Sequence, residues 1–168
     1  KLEQQQVTDQ NLDGLDVKAI ELSRVDFVKT NFGSTTTIRA TIVNTSFLNC
    51  EFVSAGMSDS GLRIVTFTHC RIGSMGLSDS TLNKITFTDC KIGSLNLRMS
   101  RGTELTFSDC IIEEIDAYQM EGKNVTFKNC QIKNLKISDA KLKNCDITQS
   151  TVDSIDGLVN AKGLVITH

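Results

Sequence analysis

The sequence predicts an all-β solenoid, a narrow tube of about eight stacked four-sided coils, on three observations. Apolar residues recur at every fifth position in one unbroken register. A second inward position lies two residues before each of them. The columns sharpen when the chain is folded at 20 residues, so that like falls on like.

The five-residue register runs without insertion from Leu12 to Val152, through Leu22, Phe27, Phe32, Ile42 and onward. All 8 Phe residues of the chain lie on it. The position two before it holds all 6 Cys: Cys50, Cys70, Cys90, Cys110, Cys130 and Cys145. Ala40, Ala55, Val65, Ile85 and Leu95 share that position. The other three residues of each five are mostly Ser, Thr, Asp, Asn, Lys and Gly. Two inward residues in five, small then large, fits neither a helical period nor plain strand alternation.

Folding at 20 residues gives the column Phe27, Phe47, Phe67, Phe87, Phe107, Phe127, Ile147. Its neighbour reads Phe32, Phe52, Ile72, Ile92, Ile112, Ile132, Val152, and a third reads Cys50, Cys70, Cys90, Cys110, Cys130, Ser150. Stacked at the roughly 4.8 Å spacing of neighbouring strands, eight coils make a rod about 38 Å long. Each coil can bury its inner face only against the next.

The stretches "LSDSTLNKITF" and "ISDAKLKNCDI" resemble the pentapeptide-repeat proteins, whose consensus is roughly Ala–Asp/Asn–Leu–x–x. The resemblance covers about 145 of 168 residues. It implies a right-handed quadrilateral parallel β-helix, with one pentapeptide per side and four per coil. It also implies that a C-terminal tail can form a dimer, so dimerisation through the C-terminal end is a family expectation.

A chain of 168 residues suits a single domain, 1–168. The polar start "KLEQQQVTDQ" reads as a cap or first coil over about residues 1–11. The rhythm breaks after Ile155, near Gly157 and Leu158, so about 157–168, including "NAKGLVITH", reads as a closing strand segment. Apolar content of 39% and charged content of 23% exclude wholesale disorder. A net charge of −2 is unlike a chain built to coat nucleic acid, and no direct nucleic-acid binding is expected. No apolar run approaches the roughly 18 residues of a membrane span, and no membrane partner is expected.

The cysteines lack the close spacings of zinc sites, and five thiols in parallel down one column cannot surround a metal. Stacked Cβ atoms about 4.8 Å apart also sit too far for a relaxed disulfide. Cys therefore reads as a small buried filler, which points to a reducing, cytoplasmic compartment or to thiols too buried to react.

Little in the chain speaks for catalysis, a metal or a cofactor. His69 is outward, His168 is the last residue, and no triad or carboxylate pair surrounds either. "GKNVTF" at Gly122 only resembles the tail of a phosphate loop. Gly102 and Gly122 share an inner column, leaving a gap or admitting a neighbour such as Met120. With the interior filled, function belongs on the outside.

The outer charges are lopsided. The side centred on the Phe column, taken as the first, is acidic, and the next two sides are mildly so. The fourth side carries Arg24, Arg63, Lys84, Arg101, Lys123, Lys141 and Lys143 against Glu21, Glu104 and Glu121. That is a candidate docking strip for an acidic partner. Val28, Leu48 and Val53 form a candidate apolar contact patch, and Thr66, Thr86, Thr106 and Thr126 an outward ladder that suits β-structure. The reading that follows is a non-enzymatic rigid rod that serves as an interaction module for another protein. Family resemblance offers an alternative: a DNA mimic that binds DNA gyrase or topoisomerase IV and confers quinolone resistance or inhibits the enzyme. A duplex carries one negative charge per about 1.7 Å, so this chain is a poor match in charge.

Overall fold

Two inward residues in every five leave three that can only face water, and the backbone satisfies both demands by turning a corner every five residues. The computed structural model describes residues 1–165. Fourteen strands follow in order: β1 (Leu2–Thr8), β2 (Glu21–Val28), β3 (Asn31–Thr36), β4 (Thr41–Leu48), β5 (Glu51–Gly56), β6 (Gly61–Thr68) and β7 (Arg71–Gly76), then β8 (Thr81–Thr88), β9 (Lys91–Asn96), β10 (Arg101–Ser108), β11 (Ile111–Asp116), β12 (Glu121–Lys136), β13 (Lys141–Asp156) and β14 (Lys162–Val165). All pairings are parallel, and in the middle of the rod each residue meets the one 20 later, as in Phe67↔Phe87 and Phe87↔Phe107. The described residues form an all-β parallel solenoid with no helix, and none therefore crosses a membrane as a helix.

The inner positions are buried as the register requires. Phe67, Val65 and Leu95 are fully buried, and one continuous core cluster runs from Leu22 to Ile147. The Phe rings stack face to face up the first side, with centroids 4.7 to 5.1 Å apart and planes within 10°. This spacing is the rung spacing itself, so the backbone ladder dictates ring stacking.

Corners carry the backbone cost. Residues at three of the four corners take φ near +50 to +57°, among them Asn44, Asn49, Asp59, Asp79, Asp89, Asn124 and Asn144. The fourth corner, at Ser54, Ser74 and Ser94, turns without positive φ. Asp and Asn tolerate the left-handed region because their short side chains bond locally. This explains the Asp/Asn-rich outer sequence better than solubility does. Ile64 is the one β-branched residue at these corners among the described residues, at φ 55° and 40% exposed. Ile64→Asn is expected to raise stability by about 1 kcal/mol, by relieving that strain and placing an amide beside Asn44. Asn144 already donates in this way to Asn124, at 3.0 Å, two corners of the same column. Urea midpoints of the two proteins check it; a lower midpoint for the variant contradicts it.

The six cysteines are free and buried. They are more than filler. Each of the five stacked thiols lies against a backbone carbonyl two residues back, and most also reach one on the coil below: Cys70 Sγ is 3.3 Å from Phe47 O and 3.5 Å from Thr68 O. At another corner the Ser60 and Ser80 hydroxyls donate likewise to Ser58 O and Ser78 O, and that of Ser100 to Leu97 O three residues back. A small donor at the inner corner position satisfies carbonyls that the ladder leaves open.

The sequence register never slips, but the ladder does within two strand pairs, and again where β14 joins β13. Gly33 forms a bulge opposite Phe52, and its φ of +51° leaves room for the Asp13 carboxylate, which accepts from Ser34 N at 2.8 Å. Lys128 pairs with Gln149 rather than Thr148. Met120 fills the space left by the two lumen glycines: a Cβ on Gly102 would lie 2.7 Å from Met120 Cε and from Leu105 Cδ1. The void left beside them is only about 20 Å³, room for one water at most.

The two ends differ. After Asp156 the chain turns at Gly157 and lays β14 on β13, Lys162 beside Lys141 and Leu164 beside Cys145. The last part of the closing segment, residues 166–168, lies outside the described residues, and His168 with it. At the other end, β1 pairs with β2 as a first coil, yet Leu2, Val7, Leu12 and Ile20 are only partly buried. There the interior is not full. A cavity of about 390 Å³ opens at this end and reaches down to Met57. The cause is local: the third side supplies Thr35 and Thr37 in the second coil, where the fourth coil has Met75 and Leu77.

Candidate functional site

An outward residue on a four-sided coil projects from a fixed rung, so the side faces are charge arrays with a built-in pitch. The fourth side is made by the first halves of β2, β4, β6, β8, β10, β12 and β13. All seven cations of the strip are exposed on it. Arg24 and Lys84 stand at corners with φ 54°. Arg63, Lys123 and Lys143 stand one residue before the corner, and Arg101 and Lys141 at the start of the side. From Arg24 to Lys143 the strip crosses six rungs, about 29 Å.

The structure divides these cations into two groups. Arg24 bonds Glu3 at 2.9 Å, and Glu121 lies between Arg101 at 3.6 Å and Lys141 at 3.7 Å on adjoining rungs. These are exposed pairs worth little in stability. Arg63, Lys84, Lys123 and Lys143 have no ion-pair partner among the described residues. Lys123 and Lys143 are direct ladder neighbours, and like charges so placed repel.

One cation escaped the sequence reading. Lys162 lies past the break in rhythm, and only the pairing of β14 with β13 brings it beside Lys141. Lys123, Lys141, Lys143 and Lys162 thus crowd one end of the fourth side, with Glu121 the one acidic residue beside them among the described residues. The signal was present as a lysine after a turn, but its side could not be assigned without the parallel pairing of β14 on β13 that follows the turn at Gly157.

The apolar candidates wrap a corner. Val28 and Leu48 are ladder neighbours on the first side, the former half-buried and the latter 36% exposed. Val53 is 58% exposed on the second side, beyond the corner residue Asn49. Ile64, Met99 and Ile111 are exposed elsewhere, so apolar exposure is scattered rather than gathered.

Other outer chemistry stitches rungs together. His69 stands at a corner with Nδ1 3.8 Å from Asp89. On the third side Arg98 bonds Asp116 at 2.9 Å and lies 4.5 Å over the Tyr118 ring. No group of His, Cys, Asp and Glu among the described residues is arranged to hold a metal ion.

The family model described as "Pentapeptide repeat region" matches residues 40–117 and 60–137. No curated protein is a sequence match to the chain. Among solved structures, full-length QnrB1, a plasmid-mediated fluoroquinolone resistance protein, is similar at 11% identity, covering 99% of this chain and 93% of that one with a TM-score of 0.34. HetL, a pentapeptide repeat protein involved in heterocyst differentiation regulation from the cyanobacterium Nostoc sp. strain PCC 7120, is similar at 12% identity, covering 98% and 89% with a TM-score of 0.34.

Proposed function

The chain belongs to the pentapeptide-repeat family, and on that premise we propose that it is a non-enzymatic rod that docks an acidic protein partner along its fourth side. The observation that carries the reading is the placement of Lys123 on Lys143, beside Lys141 and Lys162. Stacked like charges work against the fold. A local rule broken with no compensating ion-pair partner among the described residues is where function is to be sought. A partner carrying carboxylates at a similar pitch would relieve the repulsion and would be steered in by it.

The sign of the strip weighs against DNA mimicry. A duplex of the same length would present phosphates throughout, whereas the densest charge on this rod is positive. Buried free thiols suit a reducing cytoplasm.

The reversal Lys84→Glu, Lys123→Glu, Lys143→Glu spares the paired Arg101 and Lys141. In pull-downs from the source cell, the wild-type rod is expected to retain an acidic protein that elutes as salt rises. The triple variant should lose at least tenfold of it. A control reversing Lys18 and Lys91, on other sides, should keep it. Equal retention by both variants would remove the fourth side from the function.

A further inference from the structure

The open end of the rod holds a cavity that the repeat itself does not require. It measures about 390 Å³, within the range of small-molecule sites. Phe27, Phe32, Phe47 and Phe52 form two of its walls, and Met57 its floor. Two features set it apart from a merely loose end. First, the chain departs from its own pattern at both inner positions of one side of one coil, with Thr35 and Thr37 where Met75 and Leu77 close the lumen farther on. Second, those two threonines line the slot at 7% and 9% exposed and make no side-chain hydrogen bond among the described residues; since no fully buried polar atom there lacks a partner, their hydroxyls open onto the slot. The other buried threonines differ: Thr30 bonds Val28 O and Thr45 bonds Val43 O. Two hydroxyls open onto a mainly apolar slot, with Lys1, Gln5 and Gln10 the other polar side chains of its lining, are polar groups of the kind that orient a ligand.

We propose that this cavity binds one neutral, mainly aliphatic molecule carrying a single hydrogen-bonding oxygen, of the medium-chain alcohol or ketone class. The apolar body lies along the Phe rings and the oxygen meets Thr35 and Thr37. A carboxylate is disfavoured because no cation points into the slot: Lys1, at the rim, faces Glu3 at 3.5 Å. The slot spans three coils, two rung spacings or roughly 10 Å, which suits a linear chain.

The probe is 1-octanol, with octane and octanoate as comparisons, titrated by calorimetry and by the rise in thermal midpoint that a ligand of the native state must produce. One-to-one octanol binding is expected, tighter than octanoate. Along a series of shorter alcohols each methylene should tighten binding about fourfold (~0.8 kcal/mol). The pair Thr35→Val, Thr37→Val keeps the volume, and it should weaken octanol about three- to tenfold while leaving octane unchanged. The pair Thr35→Met, Thr37→Leu copies residues the chain already folds around, and it should abolish binding of both. Three results would each overturn the proposal: no octanol binding by the folded wild type, binding unaffected by the filling pair, or light scattering showing an end-to-end dimer that excludes octanol.

Discussion

Phe87→Ala is expected to cost about 3–5 kcal/mol, the range for removing a buried aromatic ring. The Phe87 ring is 2% exposed and lies between Phe67 at 4.7 Å and Phe107 at 5.0 Å, with planes within 6° of each. Truncation removes two stacked contacts, each worth about 0.5–1.5 kcal/mol beyond burial. It also opens a void that the neighbours cannot close, because their own rungs hold them. A solenoid transmits stability only between neighbouring coils. The same change at Phe27, which stacks on Phe47 alone beside the cavity, should therefore cost less. Urea unfolding followed by circular dichroism distinguishes the two. A loss below about 1 kcal/mol at Phe87 would mean that the Phe column is not what holds the middle of the rod.

Buried thiols, Cys70 in the stacked column and Cys145 outside it, make the protein sensitive to alkali. Hydrogen bonding to the Cys50 sulfur and then burial push Cys70 up to about 12. Burial, with the nearby Asp146 charge, pushes Cys145 up to about 12. Unfolded thiols ionise near 8.5. A folded pKa above the unfolded one means that the native state keeps protons the unfolded chain releases. The stabilisation is fully present below about pH 8.5 and is lost as pH rises toward 12, each unit of displacement being worth about 1.4 kcal/mol. The wild type is expected to unfold cooperatively within that window. Cys70→Ser with Cys145→Ala should move the alkaline midpoint upward, even if the variant is less stable at pH 7. An unchanged or lower alkaline midpoint relative to the pH 7 stability would show that the thiols are not the titrating groups.

The fold was legible because its rule is local and repeated. A residue such as Phe87 is inward because it sits on the fifth-residue register, and its neighbours are known because 20 residues make a coil. The charge strip was legible for the same reason, since the coil position fixes the side of Arg63, Lys84 or Lys143. Lys162 was not, because it follows the break at Gly157, where position no longer maps onto side. The pairing of Arg24 with Glu3 and of Glu121 with two cations was also beyond the pattern, for it depends on how far long side chains reach along the rungs.

By itself the amino-acid sequence determined the all-β solenoid, the inward columns and the side on which each outer charge stands, because apolar burial at a fixed period admits one solution. Only the tertiary structure decided which cations lack partners among the described residues, where β14 lies on β13, and that the lumen near Lys1 is hollow. Those outcomes depend on volume and distance across coils: Thr35 and Thr37 obey the inward register, but only the stacked coils reveal how much space their small side chains leave.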